Sequence, residues 1–138
     1  MRFARIAVAA LFFVVPAAVF ATPGAWNASK RGVVLEHRGV TASSPAFLPS
    51  PNMAVGVDKR VTLIYWRYES LSPEPVGLIV RLCTLRRCVK LDGASGQTRG
   101  LSGEPANSEF RFIYYIEGGG RLHRAFNVNS ISLAVNYK

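Results

Sequence analysis

Few side chains in this 138-residue sequence are equipped for chemistry: two cysteines, two histidines and eight carboxylates, set among 17 Lys and Arg. Cys83 and Cys88 form C-x4-C with no matching His or Cys pair elsewhere, which is not a zinc spacing. Neither His37 nor His123 belongs to a local Ser/Asp or Cys pattern of the kind that activates a nucleophile. The carboxylates are scattered, whereas a glycosidase needs two placed across one bond, and nothing singles out such a pair. Gly118-Gly119-Gly120 has the glycine content of a phosphate cradle. It lacks the Lys-Ser/Thr that should follow and any helix to open, so it reads as a turn. Asn27-Ala28-Ser29 matches a glycosylation acceptor, a three-residue pattern of little weight. The expectation is a non-catalytic chain with neither metal nor cofactor.

The first 21 residues read as an address. Arg2 and Arg5 give a charged start, Ile6 to Phe20 an apolar run, and Val19-Phe20-Ala21 a cleavage site before Thr22. The run is about 15 residues, short of the roughly 20 a membrane span needs, and Pro16 suits a cleaved signal better than an anchor. The expected mature chain is therefore 22–138, one domain of 117 residues (138 less 21). A chain of that length can hide roughly two-thirds of its unfolded surface. The 17 basic side chains less Arg2 and Arg5 leave 15 against 8 acidic, a formal +7. Such an excess favours anionic partners: lipid headgroups, cell-wall polymers such as peptidoglycan, or acidic protein faces. Export argues against nucleic acid.

An exported chain meets an oxidising compartment, where two cysteines are best paired. Placing Cys83 opposite Cys88 on antiparallel strands makes Thr84 to Arg87 the loop. Leu82 then faces Val89, Arg81 faces Lys90, Val80 faces Leu91 and Ile79 faces Asp92. Because side chains alternate, Leu82, Val89, Val80 and Leu91 share an apolar face, and the cysteines, Arg81 and Lys90 share a polar one. A bond across so short a loop is worth roughly 2 kcal/mol on the loop-closure estimate. Its larger effect is to fix the register and to hold Arg86 and Arg87. Arg81 opposite Lys90 is mildly repulsive, so the basic cluster is either a solvated face or a site for an acidic partner. The candidate contact residues are Trp26, Trp66 with its neighbour Arg67, the hairpin's Arg81, Arg86, Arg87 and Lys90, and Arg121 after the glycines. For Trp66, on a face with Thr62, Ile64 and Tyr68, core packing competes with a stacking platform for sugar. Trp26 either plugs an open end of the fold or makes a contact.

These residues need strands to position them. Val33 to Arg38 alternates and suggests a first strand, and Thr41 to Asn52, rich in Ser and Pro, a loop or irregular edge. Val61 to Glu69 reads as a strand, Ser70 to Pro75 as a turn into the hairpin, and Gly93 to Ser108 as a long mobile connection. Phe110, Phe112, Tyr114 and Ile116 share one face of another strand. Ile131, Leu133, Val135 and Tyr137 mark a terminal one. No stretch of the mature chain has a 3.6-residue period, so the expected fold class is all-β, a single-domain antiparallel β-sandwich after a cleaved N-terminal signal peptide.

GAWNAS (Gly24 to Ser29), RGV (Arg38 to Val40), YWRYE (Tyr65 to Glu69), GLIVRLCTLRRCVKLDGASG (Gly77 to Gly96), GGGRL (Gly118 to Leu122) and the closing VNYK (Val135 to Lys138) occur in one order. Together they resemble the flagellar protein FlhE family over nearly all of the mature chain. The resemblance implies a periplasmic β-sandwich encoded alongside parts of the flagellar type III export gate. It implies a role in orderly flagellar assembly and in preventing proton leakage through the export apparatus. A chaperone-like protein binding export, rod or filament components follows, with a monomer as the expected state. No catalytic residue comes with the resemblance. A cell-wall or carbohydrate-binding module using exposed tryptophans is the alternative.

Overall fold

The computed structural model describes residues 23–138; the leader expected over 1–21, with its cut after Ala21, lies outside them. Nine strands carry the described residues: β1 (Gly24–Lys30), β2 (Val34–Arg38), β3 (Ala42–Ser43), β4 (Val61–Ser70), β5 (Leu78–Cys83), β6 (Cys88–Leu91), β7 (Ser95–Thr98), β8 (Arg111–Ile116) and β9 (Gly120–Tyr137). No helix occurs among them. Every pairing is antiparallel. One sheet runs β1-β9-β4-β7, with β2 also paired to β9, and the other runs β3-β8-β5-β6. The expected sandwich is what forms.

Strict alternation builds the core between the sheets. On β8 and the residue just before it, the inward set Phe110, Phe112, Tyr114 and Ile116 is fully buried, as are Ile131, Leu133 and Val135 of β9. On β4, Ile64, Trp66 and Tyr68 face inward opposite Val135, Leu133 and Ile131. Edge-to-face and tilted ring pairs tie one sheet to the other: Trp26 to Phe110 at 5.8 Å and Tyr68 to Tyr114 at 5.5 Å between centroids. Such pairs add about 0.5–1.5 kcal/mol each beyond the area they bury.

Three segments depart from the sequence reading. Gly24 to Lys30 is a full strand, paired from Gly24–Tyr137 to Lys30–Ile131. The terminal strand begins not at Ile131 but at Gly120, immediately after the glycine turn, where Gly118 and Gly120 take the positive φ values that turn requires. Gly93 to Ser108, expected as a mobile connection, is tied down. Its β7 pairs with β4 from Ile64–Thr98 to Arg67–Ser95, and Leu101, Glu104 and Ala106 are buried. The reason is steric: a Cβ on Gly96 would lie 2.7 Å from the Trp66 ring, so glycine lets the chain pass over the indole. Thr41 to Asn52 is the irregular edge expected of it, holding β3 and an isolated bridge from Phe47 to Phe110.

Candidate contact site on the stapled hairpin

Cys83 and Cys88 are joined, and β5 pairs with β6 in the register derived from the cysteines: Cys83–Cys88, Leu82–Val89, Arg81–Lys90, Val80–Leu91. The ladder stops there, one pair short of Ile79–Asp92. Ile79 instead faces Tyr115 of β8 on its other side. Val80, Leu82 and Leu91 are buried, while Arg81, Cys88 and Lys90 are exposed.

The four-residue loop is organised by one hydroxyl. Thr84 Oγ1 accepts from the backbone N–H of Arg86 at 3.2 Å and of Arg87 at 3.3 Å, and donates to Glu104 Oε1 at 2.7 Å. Local bonds of this kind are how threonine stabilises a tight turn. Arg87 completes the clip. Its Nη2 donates to Ser102 O at 2.7 Å and its Nε lies 3.8 Å from Glu104 Oε2. Arg87 thus ties the 99–108 segment to the hairpin, with its side chain still 48% exposed.

The remaining candidates separate by place. Arg81, Lys90 and Arg86 share the hairpin, and none has an ion-pair partner among the described residues. Arg67 lies on the outer face of the other sheet, 3.1 Å from Glu69. Arg121 sits opposite His37 at the start of β9. Trp26 is 1% exposed with Nε1 donating to Ala106 O at 2.7 Å, and Trp66 is 6% exposed with Nε1 donating to Gly93 O at 3.1 Å. The stacking and anchoring readings of both indoles are therefore corrected: each is core, with its one polar atom satisfied inside.

The structure adds residues that sequence reasoning passed over. A row across the four-stranded sheet runs Ser43–Ile113–Arg81–Lys90, the next outward pair is Ile79–Tyr115, and Arg111 stands beside Cys83. At the loop tip Leu85 is 84% exposed next to Arg86. The signal for the first group was the alternate set Arg111, Ile113, Tyr115 within a strand read only for its apolar face. For Leu85 it was a leucine in a turn that has no core to fill. The arrangement is cationic with aliphatic and aromatic patches between, suited to an acidic surface that also carries apolar side chains. Among the described residues no group of three or more His, Cys, Asp or Glu gathers in one place.

The fold is an all-β antiparallel sandwich that displays a cross-linked cationic ribbon on one sheet. The family model for flagellar protein FlhE matches residues 32–138. The chain is 48% identical to flagellar protein FlhE of Salmonella typhimurium strain LT2, across 83% of this chain and 85% of that one. It is 44% identical to flagellar protein FlhE of Escherichia coli strain K12, across 83% of this chain and 85% of its counterpart. A crystal structure of FlhE superposes with a TM-score of 0.79 at 47% identity, covering 86% of this chain and 99% of that one. The chain belongs to the flagellar protein FlhE family.

Proposed function

We propose that this flagellar protein is a non-catalytic accessory that works in the periplasm beside the flagellar type III export apparatus. There it holds export, rod or filament components in chaperone fashion, against misplaced assembly and proton leak. Family membership supports the flagellar role, and the leader expected from the sequence of residues 1–21 supports the compartment. The observation that carries the binding reading is the Arg81–Lys90 pair. Two like charges directly opposite on exposed neighbouring strands cost the fold a few tenths of a kcal/mol or more, a cost that an acidic partner would offset. Leu85 at the tip supplies apolar area beside Arg86, the combination that concentrates binding energy at interfaces.

The test is complementation of a strain lacking the gene with the Arg81→Glu/Arg86→Glu variant. The carboxylate introduced at position 81 would face Lys90 across the ladder, so the purified variant should be as stable as the parent or more so, by about 0.2–1 kcal/mol. Its flagellar assembly should nonetheless fail. Full complementation by this variant, accumulated to the parent level, would remove the hairpin from the function.

A further inference from the structure

We infer that the outer edge made by β1 and β2 is a strand-addition site for an extended, acidic segment of a partner protein. This inference rests on the binding role proposed above and names a surface separate from the hairpin. β1 and β2 lie end to end along one flank of β9, from Gly24–Tyr137 through Lys30–Ile131 to Val34–Asn127. Between them Val33 O accepts from Val128 N at 2.8 Å. Lys138 exchanges both backbone hydrogen bonds with Arg60, at the β4 side. Counting back along β9, the residues that alternate with Lys138 bond β4, and Tyr137, Val135, Leu133 and Ile131 bond β1. Their partners Gly24, Trp26, Ala28 and Lys30 direct their backbone groups towards β9, so Ala25, Asn27 and Ser29 aim N–H and C=O outward. No backbone partner meets them there among the described residues.

Other edges are poorer. β3 has two residues, and β6 and β7 four each. Gly100 packs so closely on β6 that a Cβ there would lie 2.4 Å from Val89. Natural edges are usually blunted by proline, bulges or inward charges, and Gly24 to Ser29 carries no charge and no proline. Where the edge continues along β2, Val34 is 54% and Val40 57% exposed. They border a hollow of about 280 Å³ that Leu35, Glu36, His37 and Ala42 also line, so its wall is aliphatic with one carboxylate and one imidazole. A strand running alongside β2 can place one aliphatic side chain there, as strand addition does when pockets read alternate side chains.

Charge selects the occupant. Lys30 and Arg31 stand exposed at the β1–β2 junction without ion pairs among the described residues. From Gly24 to Arg38 the sole acidic residue is Glu36, so the edge does not complement a second copy of itself. It complements a segment bearing carboxylates where it passes the junction.

The probe is a blocked peptide of about nine residues alternating Val with Glu and Thr, beside the same peptide with Lys for Glu, added to the full mature chain. Amide hydrogen exchange read by NMR should show Ala25, Asn27 and Ser29 gaining protection with the acidic peptide alone. Asn27→Pro deletes one outward donor without touching the β9 ladder, and should weaken binding by about tenfold, the worth of one well-placed hydrogen bond. Asn27→Ala, which keeps that donor, should bind as the parent does. Val40→Asp, at an exposed position, should repel the acidic peptide from the hollow and gives an independent check that leaves the core and both ladders intact. Equal binding by Asn27→Pro and the parent overturns the inference, as does equal binding of the two peptides. Protection of the same amides by the protein's own self-association overturns it too. Protection confined to Arg81 and Lys90 would leave the hairpin reading standing and remove the edge.

Discussion

Tyr114 and Tyr68 meet edge to face across the two sheets, yet only one of the two hydroxyls is satisfied. Tyr68 Oη donates to Glu74 Oε1 at 2.9 Å, whereas Tyr114 Oη is buried with no partner among the described residues. Both phenols are held well above their ordinary pKa of about 10. For Tyr68 the cause is first burial, then its hydrogen bond to Glu74 and the charge of that carboxylate; for Tyr114 it is burial, then the charges of Tyr68 and Glu74. Below about pH 10 both states keep their protons and nothing is gained or lost. Above it the unfolded phenols ionise while the folded ones resist, so the unfolded state releases more protons and stability falls as pH rises. Urea midpoints should therefore hold steady up to about pH 10 and drop as the pH rises beyond it. Tyr114→Phe should be neutral or stabilising by about 1 kcal/mol at neutral pH, since it removes a desolvated group that has no partner. The same variant should flatten the alkaline decline, and Tyr68→Phe should lose about 1 kcal/mol at neutral pH. A Tyr114→Phe protein markedly weaker than the parent would show that the hydroxyl is bonded after all.

At the scale of elements, β9 matters more than any other strand because it bridges three partners. Its C-terminal half pairs with β1 on one flank and β4 on the other, and its N-terminal half pairs with β2. Deleting Ser132 to Lys138 strips most of the pairing from β1 and β4 together and should leave a chain with no cooperative thermal transition by circular dichroism. Replacing both cysteines by serine should cost only roughly 2 kcal/mol, because the loop they close is short, and the variant should still melt cooperatively. The strands readable from sequence were those where large apolar and polar residues alternate. Val61 to Glu69, Phe110 to Ile116, the hairpin and Ile131 to Tyr137 have that contrast, and the cysteines supplied the hairpin register. β1 was missed because Ala25, Asn27, Ser29 and Ala28 are too small to make alternation visible. β7, reading Ser-Gly-Gln-Thr, has no apolar residue; it is a strand because β4 has a flank to fill and Trp66 needs a glycine over it. Within the site, Arg81 and Lys90 followed from adjacent strands. The tie of Arg87 to Glu104 joins loops that only the tertiary fold brings together.

Over the whole molecule one charge excess acts in two opposed ways. The described chain carries 15 basic and 8 acidic side chains, 17 less Arg2 and Arg5 against 8, with three ion pairs among its described residues. Two of those pairs are largely exposed, and exposed pairs contribute little. Net repulsion thus outweighs specific attraction within the fold, while the same field draws acidic partners towards it. Salt screens both. At about 0.1 M the Debye length is already near 10 Å, so repulsion between distant arginines fades before the contacts of a bound partner do. Raising sodium chloride from about 50 to about 500 mM should therefore lift the melting temperature by a few degrees. Over that range association with an acidic probe should slow by about tenfold or more, with dissociation changing less. The two measurements belong together, because a melting temperature that falls with salt would mean that attractive pairs dominate the fold. The cationic excess would then be structural, and the hairpin charges would lose their claim to be held in reserve for a partner.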